Sequence, residues 1–158
     1  MPGRQKIKTY LWFDDNAEEA MNFYVSIFND SKILDVVRYG DAGPGPKGTV
    51  MCGTFQLEGQ QFIALNGGPH FKFTEAVSLF VTCETQDEVD ELWTKLTADG
   101  GAASQCGWLK DQFGLSWQII PAALMEMLSD TDAQKTRRVM EAMLQMGKID
   151  INRLKQAY

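Results

Sequence analysis

The segments Thr9-Tyr10-Leu11-Trp12-Phe13 and Ser78-Leu79-Phe80-Val81-Thr82 decide the fold of this chain. Each is a short apolar run of the length and composition of a β-strand. The stretches that follow them also correspond when the chain is compared with itself at an offset of 69 positions, the distance from Thr9 to Ser78. The chain therefore contains an internal repeat, and each copy opens with a strand.

A helix start follows each opening strand. Asn16 with Glu19, and Thr85 with Glu88, show the pattern in which a capping side chain and an acid three positions later satisfy backbone N–H groups that have no partner within the helix. Apolar residues at helical spacing follow both pairs. Two equivalent modules of this kind predict a pseudo-symmetric cleft between them, and function is expected there.

The rest of the repeat reads as β-α-β-β-β in both halves, which makes the chain an α+β protein. Strands are predicted at 7–13, 31–39, 49–57 and 61–65 around a helix at 17–28, and again at 76–83, 102–104, 106–110 and 115–120 around a helix at 86–98. Paired modules thus fill residues 1–121, at about 5–66 and 76–121. A helical extension occupies 122–158, and its methionines either cover the protein's own sheet or form a dimer contact or a lid.

Composition excludes several classes of function. A formal net charge of −6 argues against a nucleic-acid partner, because affinity for phosphates depends on clustered lysines and arginines. No apolar run is long enough to span a membrane, and we expect no secretory leader before the first strand. The three cysteines are far apart and show no CxxC spacing, which predicts reduced thiols in a cytoplasmic protein.

Several motifs together carry a family resemblance over about residues 5–121. They are Glu19-Ala20-Met21-Asn22-Phe23-Tyr24, Asn66-Gly67-Gly68-Pro69, Cys106-Gly107-Trp108-Leu109 and the run from Lys110 to Gln118. With the paired modules, they resemble the vicinal-oxygen-chelate superfamily of glyoxalases, bleomycin-resistance proteins and dioxygenases, and within it the PhnB-like branch often labelled 3-demethylubiquinone-9 3-methyltransferase. The resemblance implies curved mixed sheets around a cleft and a homodimer.

The same resemblance gives a place to look for a metal, because superfamily enzymes bind a divalent ion with side chains from the first and last strand of each module. By position these are Thr9, Ala64 or its neighbour Asn66, Ser78 and Gln118. They bring no negative charge and no imidazole, the ligands that repay dehydration of such an ion. We therefore expect no metal and no other cofactor.

The remaining candidates suit an organic ligand. If the strand faces that carry Thr9, Ser78 and Gln118 line the cleft, Leu11 and Phe80 line it as well. Trp108 adds an aromatic surface, and His70 is either an exposed loop residue or a ligand anchor. The alternative is that these strand residues are simply core.

A glycine- and proline-rich loop at 40–48 does not resemble a phosphate or S-adenosylmethionine cradle, because it lies between two strands and its prolines lack N–H donors. The sequence thus predicts a protein that binds a small aromatic or apolar molecule. The alternative is an enzyme, either the labelled methyltransferase or a glyoxalase-like isomerase or lyase.

Overall fold

The predicted β-α-β-β-β order is confirmed in both halves of the computed structural model, which describes residues 4–158. The first half contains β1 (Thr9–Phe13), α1 (Ala17–Ile27), β2 (Lys32–Arg38), β3 (Val50–Leu57) and β4 (Gln60–Asn66). The second contains β5 (Ser78–Cys83), α2 (Gln86–Thr97), β6 (Ala102–Ala103), β7 (Trp108–Lys110) and β8 (Ser116–Pro121). Three further helices follow, namely α3 (Ala122–Leu128), α4 (Ala133–Leu144) and α5 (Ile151–Ala157).

Each half forms its own four-stranded mixed sheet. Sheet 1 has the strand order β1-β4-β3-β2 and sheet 2 the order β5-β8-β7-β6. In both, the first strand of the module pairs in parallel with the last, and the remaining pairs are antiparallel. The chain divides into two compact units, one ending at Lys72 and the other beginning at Phe73.

In the first unit, α1 covers one face of sheet 1. The Tyr24 ring stacks on Phe55 with centroids 6.0 Å apart, and Phe55 stacks in turn on Phe62 at 5.3 Å. Met21 lies over Gly53, where any larger residue would overlap its side chain. Strand alternation places Leu11 on this same face, so it belongs to the apolar core that α1 completes.

In the second unit, α2 packs against β7 and β8. It buries Val89, Leu92 and Leu96, and the sheet contributes Leu109, Trp117 and Ile119 from one set of alternating positions. The other set forms a face that we call the α2-distal face of sheet 2. Its members are Ser78, Phe80, Thr82, Ala102, Trp108, Lys110, Ser116, Gln118 and Ile120.

The C-terminal helices pack onto the end of sheet 2. Ile120 of β8 joins a buried cluster with Leu124, Val139, Met146, Ile149 and Leu154. Met146 is 2% exposed, whereas Met125 and Met140 are 49% and 40% exposed. Met146 therefore covers the protein's own sheet, which is one of the alternatives stated for these methionines. Among residues 4–158, no helix has the length and apolar character needed to cross a bilayer.

The two predicted helix caps have different outcomes. At α2 the prediction is confirmed, because Thr85 Oγ1 accepts a hydrogen bond from the Glu88 backbone N–H at 3.2 Å. At α1 it is wrong, because the Asn16 side chain accepts no capping bond and its backbone is not extended as a cap requires. Asn66, from the end of β4, accepts the bond from the Ala17 N–H instead, at 2.8 Å.

We predict that Asn66→Ala lowers the free energy of unfolding by about 1–3 kcal/mol, because it leaves a helix-terminal N–H without its acceptor and removes a second bond to the Val50 carbonyl. Asn16→Ala is the matched control and should change stability by less than about 0.5 kcal/mol. Urea unfolding of the two variants measures both values. Equal effects would show that Asn66 is not the cap.

Candidate functional site

The two modules match at an offset of 70 in their opening strands, and not at 69. Phe13 and Cys83 both end a strand and are 3% and 0% exposed, whereas Tyr10 and Phe80 both face outward at 55% and 50%. The helices keep the offset of 69, because three residues separate β1 from α1 and only two separate β5 from α2. A slip of one residue turns every side chain of a strand to the opposite face.

This slip moves two of the expected ligand-binding residues onto the helix-covered face of sheet 1. Leu11 is 4% exposed there, and Thr9 shares its face. The predicted equivalence of Thr9 and Ser78 is therefore wrong, and Lys8 is the counterpart of Ser78. Asn66 uses its side chain within the fold, accepting from Ala17 N and donating to Val50 O at 2.9 Å.

His70 is exposed and lies in the unit that ends at Lys72. The segment around it packs on Trp12, whose indole N–H donates to the Gly68 carbonyl at 2.9 Å. The Phe71 ring meets Trp12 edge to face, with centroids 4.8 Å apart. This packing gives the segment a structural role, and a ligand role for His70 stays a prediction.

The structure brings the other four candidates together on the α2-distal face of sheet 2. Phe80 lies opposite Gln118 in the parallel pair, and Gln118 lies opposite Trp108 in the antiparallel pair. The Gln118 side-chain amide donates to Ser78 Oγ at 2.9 Å. Among residues 4–158, Gln118 Oε1 has no hydrogen-bond partner. An amide carbonyl between two aromatic side chains can accept a hydrogen bond from a flat ligand.

A pocket of about 260 Å³ opens at the side of this row. Its lining consists of Glu75, Ala102, Ala103, Ser104, Trp108, Leu109, Lys110 and Ser116. Lys110 forms an ion pair with Glu75 across the pocket lining. Ser116 is 1% exposed, and its hydroxyl has no hydrogen-bond partner in the described part of the chain.

Sequence reasoning missed Lys110, Glu75 and Ser116. The register shows why they meet: Ser116 lies between Ser78 on β5 and Lys110 on β7, with all three side chains on the same face. The signal available in the sequence was the alternation of β8, in which Ser116 and Gln118 share a face. The pairing partner on β7 could not be read from the sequence, because it depends on the geometry of the turn between the strands.

That turn is held by the buried carboxylate of Asp111, which is 2% exposed. One oxygen accepts from the backbone N–H groups of Phe113 and Leu115 at 2.9 and 3.1 Å. The other accepts from the Trp117 indole N–H at 2.8 Å. Gly114 completes the turn with a φ of 86°, a conformation that favours glycine. These bonds fix the register that places Ser116 and Gln118.

The donor set on these strands does not fit a divalent metal ion. On the faces turned away from α1 and α2, the first and last strands of the two modules carry Tyr10, Trp12, Gln61, Ile63, Leu65, Ser78, Phe80, Thr82, Ser116, Gln118 and Ile120. None of these is a carboxylate or an imidazole, the ligands such ions need. Within residues 4–158, no three His, Cys, Asp or Glu side chains come together as a metal-binding group.

Cys83 does not offer an activated nucleophile. Burial, reinforced by the nearby charges of Glu88 and Glu84, raises the pKa of the Cys83 thiol to about 12. A thiol with so high a pKa stays protonated at neutral pH and is a poor nucleophile. Cys52 and Cys106 are half-buried and unpaired with any other cysteine of the described chain.

Comparison with known proteins gives a consistent family. The family model described as 3-demethylubiquinone-9 3-methyltransferase matches residues 5–120. The PhnB protein of Bacillus cereus is 45% identical, with a TM-score of 0.70, over 75% of this chain and 100% of that one. A search of curated protein sequences gives no significant match.

Two more distant solved structures share the fold. Protein PA1353 of Pseudomonas aeruginosa is 20% identical, with a TM-score of 0.61, over 74% of this chain and 97% of its own. The fosfomycin resistance protein FosX of Listeria monocytogenes, solved with Mn(II) and sulfate, is 16% identical, with a TM-score of 0.54, over 79% of this chain and 95% of that one. At these identities the likeness concerns the fold alone.

We predict that Asp111→Ala lowers the free energy of unfolding by roughly 2–4 kcal/mol, because it leaves two backbone N–H groups and the Trp117 indole without their acceptors. Asp15→Ala, at an exposed position before α1, is the control and should be nearly neutral. Denaturant unfolding followed by tryptophan fluorescence measures both. A loss below about 1 kcal/mol for Asp111→Ala would contradict the role assigned to this carboxylate.

Proposed function

The chain belongs to the family described as 3-demethylubiquinone-9 3-methyltransferase, the PhnB-like branch of the vicinal-oxygen-chelate superfamily, and from this premise we propose that it binds a small aromatic or apolar organic molecule. The α2-distal face of sheet 2 is the proposed site. The observation that carries the proposal is the row formed by Phe80, Gln118 and Trp108.

Exposure and chemistry both support this site. Phe80 is 50% exposed and lies in one row with the partly exposed Trp108. A continuous exposed apolar surface with polar groups around it favours contact with another molecule. Gln118 is positioned by its bond to Ser78, which leaves the carbonyl oxygen for a ligand donor. Aromatic surfaces with a few oriented polar groups are typical of small-molecule sites.

We expect the site to work without a divalent ion, because the strands around it lack suitable ligands. Homodimer formation and a cytoplasmic location also stay predictions. An enzyme is the alternative, either the methyltransferase of the family description or a glyoxalase-like isomerase or lyase. A glyoxalase-like isomerase or lyase needs a divalent metal ion, and the side chains on these strands are unsuited to bind one.

The loop at 40–48 argues against methyl transfer in the usual manner. It wraps around the Tyr39 ring, so that a Cβ at Gly43 or Gly45 would overlap that ring. The Tyr39 hydroxyl donates to the Asn66 carbonyl at 3.2 Å, which fixes the ring in place. The glycines therefore make room for a side chain of the protein itself and not for a nucleotide.

We predict that 2-naphthol and menadione raise the melting temperature of the protein, with the same shift in the presence of EDTA. Phe80→Ala should weaken binding about tenfold, because it removes an aromatic contact from the site. Leu144→Ala, at another exposed apolar residue of the same unit, is the control and should bind like the parent protein. Isothermal titration calorimetry measures the affinities. If neither compound binds, or if binding requires added zinc or manganese, the proposal fails.

For S-adenosylmethionine we predict a dissociation constant above about 100 μM in calorimetry. The reason is that the Gly/Pro loop packs on Tyr39. A clear micromolar affinity would favour the methyltransferase alternative. In that event, Tyr39→Ala separates two explanations: if it abolishes binding of S-adenosylmethionine, the loop is the cradle, and unchanged binding would place the methyl donor elsewhere.

A further inference from the structure

The pocket beside Trp108 contains a buried polar group that the fold itself does not use. The Ser116 side chain is 1% exposed, lines the pocket, and has no hydrogen-bond partner within residues 4–158. Buried hydroxyls are nearly always hydrogen-bonded, because an unsatisfied one lowers stability. A buried serine hydroxyl without a partner therefore favours a hydrogen bond to a molecule from outside the chain.

The neighbouring residue on β7 supplies a positive charge. Lys110 lies directly opposite Ser116 in the antiparallel pair and lines the same pocket. Its ammonium group pairs with Glu75, and the side chains of Lys110 and Glu75 are 44% and 59% exposed. Ion pairs this exposed contribute little to stability, so a competing carboxylate can replace Glu75 at small cost.

The Glu75 carboxylate itself shows which chemistry suits the lysine. Its hydrogen bond to the Lys110 side chain holds the pKa of Glu75 below its usual value, so this acid is ionised at neutral pH. A carboxylate thus already occupies the mouth of the pocket, supplied by the protein. A ligand carboxylate would find the same ammonium partner and, in addition, the hydroxyl of Ser116.

We propose that this pocket recognises the carboxylate of an aromatic acid, with Ser116 and Lys110 as its hydrogen-bond and charge partners and Trp108 beside its ring. The inference rests on the proposed function, because Trp108 belongs to both the pocket and the aromatic row. It adds a substrate class to that function: a flat apolar body carrying one carboxylate. A hydrogen bond to an ionised group is stronger than one between neutral groups, so acids should be preferred over their amides.

The first test compares 2-naphthoate with 2-naphthamide, which has nearly the same shape but no charge. The parent protein should bind the acid about tenfold more tightly in calorimetry, as expected for one charge-assisted bond. If both bind with equal affinity, the proposed function stands and the carboxylate site is wrong. If neither binds, both proposals fail.

The second test uses Ser116→Ala, which separates a ligand role from a structural one. This variant should have a higher melting temperature than the parent, because it removes a buried hydroxyl without a partner. Its affinity for 2-naphthoate should nevertheless fall about tenfold, with little change for 2-naphthamide. If the affinity for 2-naphthoate is unchanged, the hydroxyl serves a bound water only and the proposal is overturned.

The third test uses variants of Lys110 and Glu75 to examine the role of charge. Lys110→Met should abolish the preference for the acid, whereas Lys95→Met, which breaks a comparably exposed ion pair with Glu91, should leave it intact. Glu75→Gln removes the competing carboxylate and should raise the affinity for 2-naphthoate severalfold. A preference for the acid that survives Lys110→Met, or a loss of affinity in Glu75→Gln, would show that the anion binds elsewhere.

Discussion

The second unit depends on one buried carboxylate. Asp111 accepts hydrogen bonds from two backbone N–H groups of its own turn and from the Trp117 indole, and it is almost entirely shielded from water. A buried carboxyl group is tolerated only when its oxygens have hydrogen-bond partners, so the turn and the first residues of β8 must keep one geometry. Because strand register then follows from the turn, the same carboxylate decides which side chains of β7 and β8 meet.

Much of the fold could be predicted from the sequence, since hydrophobic periodicity carries it. The repeated strand-helix-strand order and most element boundaries follow from alternation, helical spacing and glycine- or proline-rich turns. The offset between the strands could not be obtained in this way. The loop before α1 is one residue longer than the loop before α2, and capping patterns align the helices without revealing the difference. Because side chains alternate along a strand, a shift of one residue exchanges its buried and exposed positions.

The cap of α1 shows a second limit of sequence reasoning. Asn16 has the right residue type at the right position, yet its side chain accepts no capping bond, and the Ala17 N–H donates to Asn66 Oδ1, 49 residues later along the chain. Capping propensity is a property of the residues next to the helix end in the sequence. It therefore does not predict a cap from a side chain that a distant strand brings to the same place. Asn66 therefore links α1, β3 and β4. Its motif, Asn66-Gly67-Gly68-Pro69, is distinctive in the sequence, but the motif alone does not reveal these contacts.

The candidate site follows the same division between local pattern and pairing. Ser78, Phe80, Trp108 and Gln118 could be named from the sequence because alternation and composition single them out, whereas Thr9 and Leu11 were assigned to the wrong face by the one-residue slip. Ser116 shares the alternation of β8 with Gln118, but its neighbours Ser78 and Lys110 follow only from the strand register. A buried hydroxyl opposite a lysine, inside a pocket, stabilises nothing in the free protein. Its cost is offset only if a partner from outside the chain, a ligand or a bound water, supplies the missing hydrogen bond.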